Sequence, residues 1–555
     1  MAVRVSFAAC AAAALLVLPS LACARPGPVV DAPAGAVEGR ADGGLRVFKG
    51  LPYAQPPIGR ARWTAPKPLA PWTGIRQATD FGPACVQPSP PPGNLYGDAP
   101  PRMSEDCLSL NIWTPVHARR APVIVWIHGG ALTTGASSEA VYDGAHLARR
   151  GAVVVSINYR LGVLGYLAHP ALSAESAVGV SGNYGLLDQI AALGWVRRNI
   201  AAFGGDPANV TIAGESAGGL SVMYLMAAPD ARGLFAKAIA ESAYMISTPE
   251  LKQARFGAPS AETAGVMLAA KLHAPDIAAL RAMDPRMLTD AAAVAGYAPF
   301  GVVDGRTLPR QLVETFDRGE QAPVPLLAGF NSGEIRSLRF LAPPRPTSAS
   351  VYESVIRDRY GDLADGFLRL YPATNLEESV LATTRDALYG WTAERLAAKQ
   401  AALGRPAYLY LFDHGYLAAD RAGLHGFHAS ELPYVFGTAE RLPAHWPKPP
   451  AGGADAALSD AMIGYWTSFA RTGTPTASGE PAWPAYAAGR AYMTFADRPR
   501  PSDHLMPGMY ALHEQAVCRR LRKDMGWTFN VGVVSPRLTD DDGVCRRAAA
   551  DALRP

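Results

Sequence analysis

The sequence predicts an α/β fold with a mostly parallel central sheet, flanked by helices and joined by long loop insertions that form a gorge. Residues 123–127 (VIVWI) are all apolar, which is typical of a strand buried on both faces. Residues 210–226 combine an apolar strand, a glycine-flanked serine and a helix, an order typical of parallel α/β sheets. A hydrophobic content of 49% over 555 residues suits a large buried core.

The first 24 residues predict a secretory signal peptide. Arg4 precedes a short apolar run, residues 8–18, and Ala22 and Ala24 form a cleavage site of the A-x-A type. The run is too short to span a membrane. Acylation of Cys23, which would make the protein a lipoprotein, is the alternative, although the residues before it match that motif poorly. We expect an exported mature chain, residues 25–555, with a single catalytic domain and no transmembrane segment.

The strand at 123–127 continues directly into His128-Gly129-Gly130-Ala131. Small residues at the end of a strand let the backbone turn and present N–H groups to a negatively charged oxygen. We therefore expect Gly130 and Ala131 to donate to an oxyanion, and His128 to be structural.

The second segment is centred on Gly214-Glu215-Ser216-Ala217-Gly218. A strand, a sharp turn and a helix around a serine form the nucleophile elbow of an α/β-hydrolase fold, in which the serine is strained and the flanking glycines avoid collisions. Ser216 is the candidate nucleophile, and the N–H of Ala217 is the candidate third oxyanion donor. In this fold a carboxylate and then a histidine follow the serine in the chain.

Further motifs resemble the type-B carboxylesterases, a family that includes the cholinesterases and bacterial para-nitrobenzyl esterases. The resemblance covers roughly residues 35–515. The motifs that carry it include FKGLPYAQPP at 48–57, SEDCLSLNI at 104–112, NYRLG at 158–162, GNYGLLDQ at 182–189, FGGDP at 203–207 and WPAY at 483–486.

The resemblance implies the acid of a catalytic triad. In the family, this acid lies just after a strand in a segment like G-x-N-x-D-E-G, which here is GFNSGEI at 329–335, so Glu334 is the expected acid. Gly333 and Ile335 depart from the family pattern. Ser242 resembles a family position that forms hydrogen bonds near the triad, and a simple core serine is the alternative.

The resemblance also selects the catalytic histidine. The family histidine lies three residues before a segment like E-L-P-Y-V-F-G, which here occupies 431–437. Counting back from that segment selects His428 rather than His425, which then becomes a gorge-wall or surface residue.

These assignments predict a carboxylic ester hydrolase that works through Ser216, His428 and Glu334 and an acyl-enzyme. An amidase or a hydrolase of a specialised ester, such as an aryl or toxin ester, is the alternative. A third hypothesis is a non-catalytic, cholinesterase-like adhesion protein. The presence of all three triad residues argues against it.

The composition limits the partners. We expect a small-molecule ester substrate and no metal or organic cofactor, since the chain has neither an H-E-x-x-H nor a C-x-x-C motif. A net charge of only +4, without a basic stripe, argues against nucleic acid. The oligomeric state remains open.

Four cysteines follow the predicted signal peptide: Cys85, Cys107, Cys518 and Cys545. An even number in an exported chain predicts two disulfides, and the sequence alone permits three pairings. The resemblance favours Cys85–Cys107, which leaves Cys518 and Cys545 for the second bond. Because the resemblance fades from about residue 516, we expect a solvated C-terminal extension there and assign it no function.

Overall fold

The structure, a computed structural model, describes residues 27–97, 99–450, 452–538 and 543–551. The predicted signal peptide, including Cys23, lies outside these residues. The strands are β1 Val29–Ala32, β2 Gly35–Glu38, β3 Arg40–Asp42, β4 Leu45–Pro52, β5 Ile75–Gln77, β6 Ala84–Cys85, β7 Met103–Ser104, β8 Ser109–Pro115, β9 Ala121–Ile127, β10 Val153–Ile157, β11 Gly205–Glu215, β12 Lys237–Glu241, β13 Leu326–Asn331, β14 Ala407–Phe412, β15 Ala491–Phe495 and β16 Pro499–Asp503.

From β9 to β15, one or more helices separate each strand from the next. The helices are α1 Ala145–Arg149, α2 Gly162–Tyr166, α3 Pro170–Glu175, α4 Tyr184–Asn199, α5 Ala217–Ala227, α6 Ala261–Lys271, α7 Ile277–Ala282, α8 Pro285–Val294, α9 Leu312–Asp317, α10 Glu334–Ser337, α11 Ala349–Tyr360, α12 Ala364–Leu370, α13 Leu376–Arg385, α14 Trp391–Ala402, α15 Leu417–Arg421, α16 Leu432–Phe436, α17 Ala454–Thr472, α18 Met509–Arg522 and α19 Val544–Asp551. A π-helical turn, Asp386–Gly390, joins α13 to α14. Within the described ranges, no helix is both long and apolar enough to cross a bilayer.

An eleven-stranded sheet organises the molecule, with the order β16-β15-β14-β13-β12-β11-β9-β10-β8-β4-β3. The neighbouring pairs from β10 through β9, β11, β12, β13 and β14 to β15 are parallel, whereas the pairs at both edges are antiparallel. The predicted mostly parallel sheet is therefore confirmed.

Both faces of the sheet are covered. Successive residues of a strand point to opposite faces, so Val123 and Val125 of β9 join one core cluster while Ile124 and Trp126 join the other. Residues of α4, α5 and α14 cover the first face, and residues of α1, α16 and α17 cover the second. This arrangement explains why β9 is apolar at successive positions rather than at alternate ones.

The parallel strands bring their carboxyl ends to one edge of the sheet. Glu215 at the end of β11 is the register partner of Glu241 at the end of β12, and Glu241 is in turn the register partner of Gly329 on β13. The loops that leave this edge carry the predicted nucleophile and the predicted acid. Ligand sites of parallel α/β sheets lie at this edge.

The structure contains two disulfides, Cys85–Cys107 and Cys518–Cys545, which are the pairs that the sequence analysis favoured. The second bond joins α18 to α19. The expectation of a solvated C-terminal extension is wrong for much of this segment, because α18 continues without a break past residue 516 and Trp527 is buried.

Candidate active site

Ser216 is the one residue between the end of β11 and the start of α5, and its backbone has φ 57° and ψ −120°. This conformation is strained for an L-residue and is stabilised by a hydrogen bond from its N–H to the Glu241 carbonyl at 2.9 Å. A Cβ on Gly218 would lie 2.0 Å from the Ile127 oxygen, and one on Gly214 would lie 2.6 Å from Gly218. Both glycines are therefore required by the close approach of β9 to the turn.

The loop after β9 turns back at Gly130 and Ala131, which have φ values of 97° and 54°. Both residues are exposed, and neither N–H donates to a hydrogen bond in the described part of the chain. A Cβ on the preceding Gly129 would lie 3.2 Å from the Ser216 Cβ, so this loop lies directly against the candidate nucleophile. The N–H of Ala217 opens α5 and has no acceptor within its helix. The three expected donors thus lie on two segments that meet at Ser216, the loop after β9 and the start of α5.

His428 and Glu334 meet across two loops. The His428 Nδ1 donates to Oε2 of Glu334, and both side chains are buried. The other oxygen of Glu334, Oε1, accepts from the Ser242 hydroxyl at 2.6 Å and from the Asn331 N–H at 2.8 Å. Ser242 therefore contacts the predicted acid, and the carboxylate is held by three donors.

The departure of Gly333 from the family pattern has a steric reason in this chain. Its N–H donates to the Gly426 oxygen at 2.7 Å. A Cβ at position 333 would lie 2.7 Å from the Leu424 oxygen and 2.9 Å from that of Gly426. A side chain there would push away the loop that carries His428.

His425 does not approach the carboxylate of Glu334. Its Nδ1 lies 2.9 Å from Asp420 and its Nε2 lies 3.3 Å from Asp413, and its side chain is 41% exposed. It is a surface residue near the start of the loop that carries His428.

Sequence reasoning assigned no role to Glu215, although it stands inside the elbow motif. The structure places its Oε1 3.1 Å from Nε2 of His428. Among the described contacts, Ser216 makes no direct hydrogen bond with His428. Such bonds are often long in a free enzyme and form when substrate binds.

The two glutamates around His428 change its acidity. Burial alone would lower the pKa of His428, but the negative charges of Glu215 and Glu334 outweigh burial and raise it to about 9. Burial also raises the pKa of Glu215, an effect that His428 opposes and Glu334 reinforces. The Glu215 carboxylate therefore lies within ion-pair distance of the His428 imidazole.

Two further buried glutamates lie behind the triad. Glu241 accepts from the Trp466 indole at 2.8 Å, and Glu431 accepts from the side chain of Asn331. Burial raises the pKa of both carboxyls, and the charge of Glu215 raises both further. The charges of Glu241 and Glu334 add to the increase for Glu431. Their only sequence signals were their positions beside Ser242 and inside the E-L-P-Y-V-F-G segment.

Aromatic rings flank the imidazole. The ring centroid of Tyr96 lies 6.4 Å from that of His428, edge-on, and the ring of Tyr389 lies 5.3 Å away. Tyr389 is part of the π-helical turn, a feature that often occurs at functional sites. In contrast, His128 is buried, contacts the Gly129 oxygen and stacks on Tyr159, as expected of a structural residue.

The profile of the carboxylesterase family matches residues 26–512. The chain belongs to the carboxylesterase family. This confirms the resemblance that the motifs indicated, and it makes the protein a serine carboxylic ester hydrolase.

Two members of this family are similar to this protein along most of its length. A fumonisin B1 esterase of Sphingopyxis macrogoltabida is 36% identical over 84% of this chain and 85% of its own length. A para-nitrobenzyl esterase of Bacillus subtilis (strain 168) is 37% identical over 82% of this chain and 92% of its own length.

Solved structures of carboxylesterases share the fold. A thermophilic para-nitrobenzyl esterase superposes with a TM-score of 0.74 at 34% identity, covering 87% of this chain and 99% of its own. A Geobacillus stearothermophilus carboxylesterase gives a TM-score of 0.73 at 33% identity with the same coverage. The α/β-hydrolase fold predicted from the sequence is therefore confirmed.

Proposed function

We propose that this protein is an exported carboxylesterase in which Ser216 is the nucleophile, His428 the general base and Glu334 the acid. The observation that carries the proposal is the hydrogen bond from His428 Nδ1 to the buried Glu334, next to a strained serine between a strand and a helix. Export is supported by the predicted signal peptide and by the two disulfides.

The proposed reaction begins with neutral His428. Its Nε2 accepts the proton of Ser216 as the oxygen attacks the ester carbonyl, and Glu334 stabilises the imidazolium that forms. The N–H groups of Gly130, Ala131 and Ala217 bind the oxyanion of the tetrahedral intermediate. Removal of one such donor typically costs about 3 kcal/mol of transition-state stabilisation.

Collapse of the intermediate releases the alcohol and leaves an acyl-enzyme. His428 returns its proton to the leaving alkoxide, which departs as an alcohol, while the acyl group stays on Ser216. Water then attacks the acyl carbonyl with His428 again as base, and the acid is released. In this scheme Glu215 must give up its contact with Nε2 when Ser216 takes its place.

The substrate proposal is a small-molecule carboxylic ester. A specialised ester with a large acyl or alcohol part is the second candidate, and the similarity to a fumonisin B1 esterase over 84% of the chain favours it. An amidase is distinguished from both by its leaving group, because an amine leaves less readily than an alcohol.

The test compares wild type with Ser216→Ala on p-nitrophenyl esters of increasing acyl length, the matching anilides and fumonisin B1. We expect ester turnover that far exceeds anilide turnover, and nearly complete loss in the variant with an unchanged circular dichroism spectrum. An organophosphate is expected to label Ser216 stoichiometrically. Full activity of the folded alanine variant would refute the mechanism, and faster anilide turnover would favour the amidase.

A further inference from the structure

Residues 130–135, here called the oxyanion turn, fold back on themselves. The N–H groups of Thr133 and Thr134 both donate to the Gly130 carbonyl at 2.9 Å. A Cβ on Gly130 would lie 2.2 Å from the Thr134 oxygen, so the two ends of the turn are in close contact. The position of Gly130 and Ala131 therefore depends on what holds the far end of the turn.

Gly135 ends the turn and lies against the residues that precede it. It has φ 107°, and a Cβ at this position would lie 2.4 Å from Nδ1 of His128 and 2.7 Å from the Gly129 oxygen. Gly129 in turn lies against Ser216. Because these backbones are closely packed, a displacement of Gly135 would also move the residues next to the expected oxyanion donors.

The side chain of Gln87 holds both polar backbone groups of Gly135. Its Oε1 accepts from the Gly135 N–H at 2.8 Å, and its Nε2 donates to the Gly135 carbonyl at 2.9 Å. Nε2 also donates to the Cys85 carbonyl at 3.1 Å. Gln87 is only 3% exposed, so water does not readily replace these bonds, and the paired amide fixes both the distance and the orientation of Gly135.

The segment that carries Gln87 is itself fixed. Cys85, two residues earlier, is bonded to Cys107, and its strand β6 pairs with β7. Strand β8 of the central sheet begins two residues after Cys107. Gln87 therefore connects the oxyanion turn to the central sheet by way of a disulfide.

Side chains also accept from the next two backbone N–H groups. The Ala136 N–H donates to Oε1 of Glu139 at 2.9 Å, and the Ser137 N–H donates to Oδ1 of Asn158 at 2.8 Å. Both of these bonds hold residues beyond the turn. Of the three side chains, Gln87 is the one that bonds to the turn itself.

We propose that Gln87 is a positioning residue for ester hydrolysis, which fixes the oxyanion turn through Gly135. This rests on the proposed function, in which Gly130 and Ala131 donate to the oxyanion. Without the amide, the Gly135 N–H and carbonyl lose their partners, and the turn gains alternative positions. Displaced donors weaken binding of the transition state more than binding of the ester, because the full negative charge develops only in the transition state.

Gln87→Met tests the proposal by kinetics, because it keeps the length of the side chain and removes its donor and acceptor. We expect kcat on p-nitrophenyl butyrate to fall about tenfold to a hundredfold, with KM changed by less than about threefold. The pH at which kcat/KM decreases should stay that of the wild type, since Gln87 bonds to Gly135 and Cys85 rather than to the charged groups around His428. A shifted pH profile would show that the variant disturbs the base instead of the turn.

Hydrogen–deuterium exchange measures the turn without reference to catalysis. Peptides that cover residues 128–137 should exchange several-fold faster in Gln87→Met than in the wild type. Peptides around Ser216 and His428 should exchange as in the wild type. Equal exchange of residues 128–137 in the two proteins overturns the proposal, whatever the rate of hydrolysis.

Gln400→Met is the matched control. Gln400 is also a buried glutamine, and its Nε2 donates to the carbonyls of Ala322 and Val324 at 2.7 Å each, at the amino end of β13 and away from the catalytic edge. This variant should lower Tm but keep kcat. An equal loss of kcat in Gln400→Met and Gln87→Met would show that general destabilisation explains the effect, and would overturn the proposal.

Two further variants complete the design. If Gln87→Met does not fold, Gln87→Glu carries the same comparison, because it keeps the size and the acceptor and removes the donor. Ser216→Ala separates the two levels of the argument. Wild-type kcat in folded Gln87→Met beside an inactive Ser216→Ala refutes only the role of Gln87, whereas full activity of Ser216→Ala refutes the proposed function itself.

Discussion

Nε2 of His428 lies 3.1 Å from Oε1 of Glu215, the residue that directly precedes the proposed nucleophile. The other nitrogen of the same ring donates to Glu334. The imidazole therefore lies between two buried carboxylates, one behind it and one on the side where Ser216 must approach. The charges of Glu215 and Glu334 raise the pKa of the proposed base.

The pH dependence of the reaction should reflect these two charges. His428 is a base only when neutral, and its raised pKa of about 9 keeps it protonated at lower pH. We therefore expect kcat/KM to decrease as the pH falls through an apparent value above the ordinary 6.5 of histidine. Glu215→Gln removes one of the charges that raise this pKa. The decrease of kcat/KM should therefore occur at lower pH in this variant than in the wild type.

The control for that shift is Glu353→Gln, which removes an exposed glutamate on α11. It should leave the pH profile of p-nitrophenyl acetate hydrolysis unchanged. Identical profiles for Glu215→Gln and the wild type would show that Glu215 does not set the acidity of the base.

The two neighbouring histidines offer a matched pair of variants. His428→Ala should lower kcat by about 10⁶-fold, because a serine without its base is a poor nucleophile. His425→Ala should cost much less, since the ring nitrogens of His425 contact two partly exposed aspartates, Asp420 and Asp413, and not the triad acid. Steady-state kinetics on one p-nitrophenyl ester measures both. An inactive His425→Ala beside an active His428→Ala would reverse the assignment.

Ser242 should act as a positioning residue for the acid. Its hydroxyl donates to Glu334 at 2.6 Å, and a hydrogen bond to a charged group is typically worth about 1.5–3 kcal/mol. Ser242→Ala should therefore lower kcat about tenfold to a hundredfold with little change in KM. Ser430→Ala, at a buried serine whose hydroxyl has no hydrogen-bond partner among the described residues, is the control and should stay near wild type.

Signal-peptide removal and disulfide formation can be tested together on protein that is expressed with residues 1–24 and exported. We expect a mature N-terminus near Arg25 and no free thiol, with Cys85 linked to Cys107 in a non-reducing digest. The 27-residue separation of Cys518 and Cys545 corresponds to about 3 kcal/mol of stabilisation in the chain-entropy model. Replacing both by alanine should lower Tm accordingly. Retention of residues 1–24, or lipid on Cys23, would contradict the predicted processing.

The strand, turn and helix around Ser216 and the turn after β9 could be predicted from the sequence because both are local. A strand, a strained serine and a helix follow one another within about twenty residues, and the glycines mark where backbones approach closely. The order of motifs identified the family for the same reason. Counting along one segment favoured His428 over His425, and in the structure it is His428 that contacts Glu334.

The surroundings of the base were decided by the tertiary structure alone. Glu215, Glu241 and Glu431 are far apart in sequence, and only the parallel register of the sheet and the return of the loop after β14 bring them close to one another around the site of His428. Their acidity depends on burial and on one another's charge, which no local pattern encodes. The same holds for Arg520 and Trp527: their sequence indicated a solvated extension, and packing against the rest of the protein buried them around one cavity.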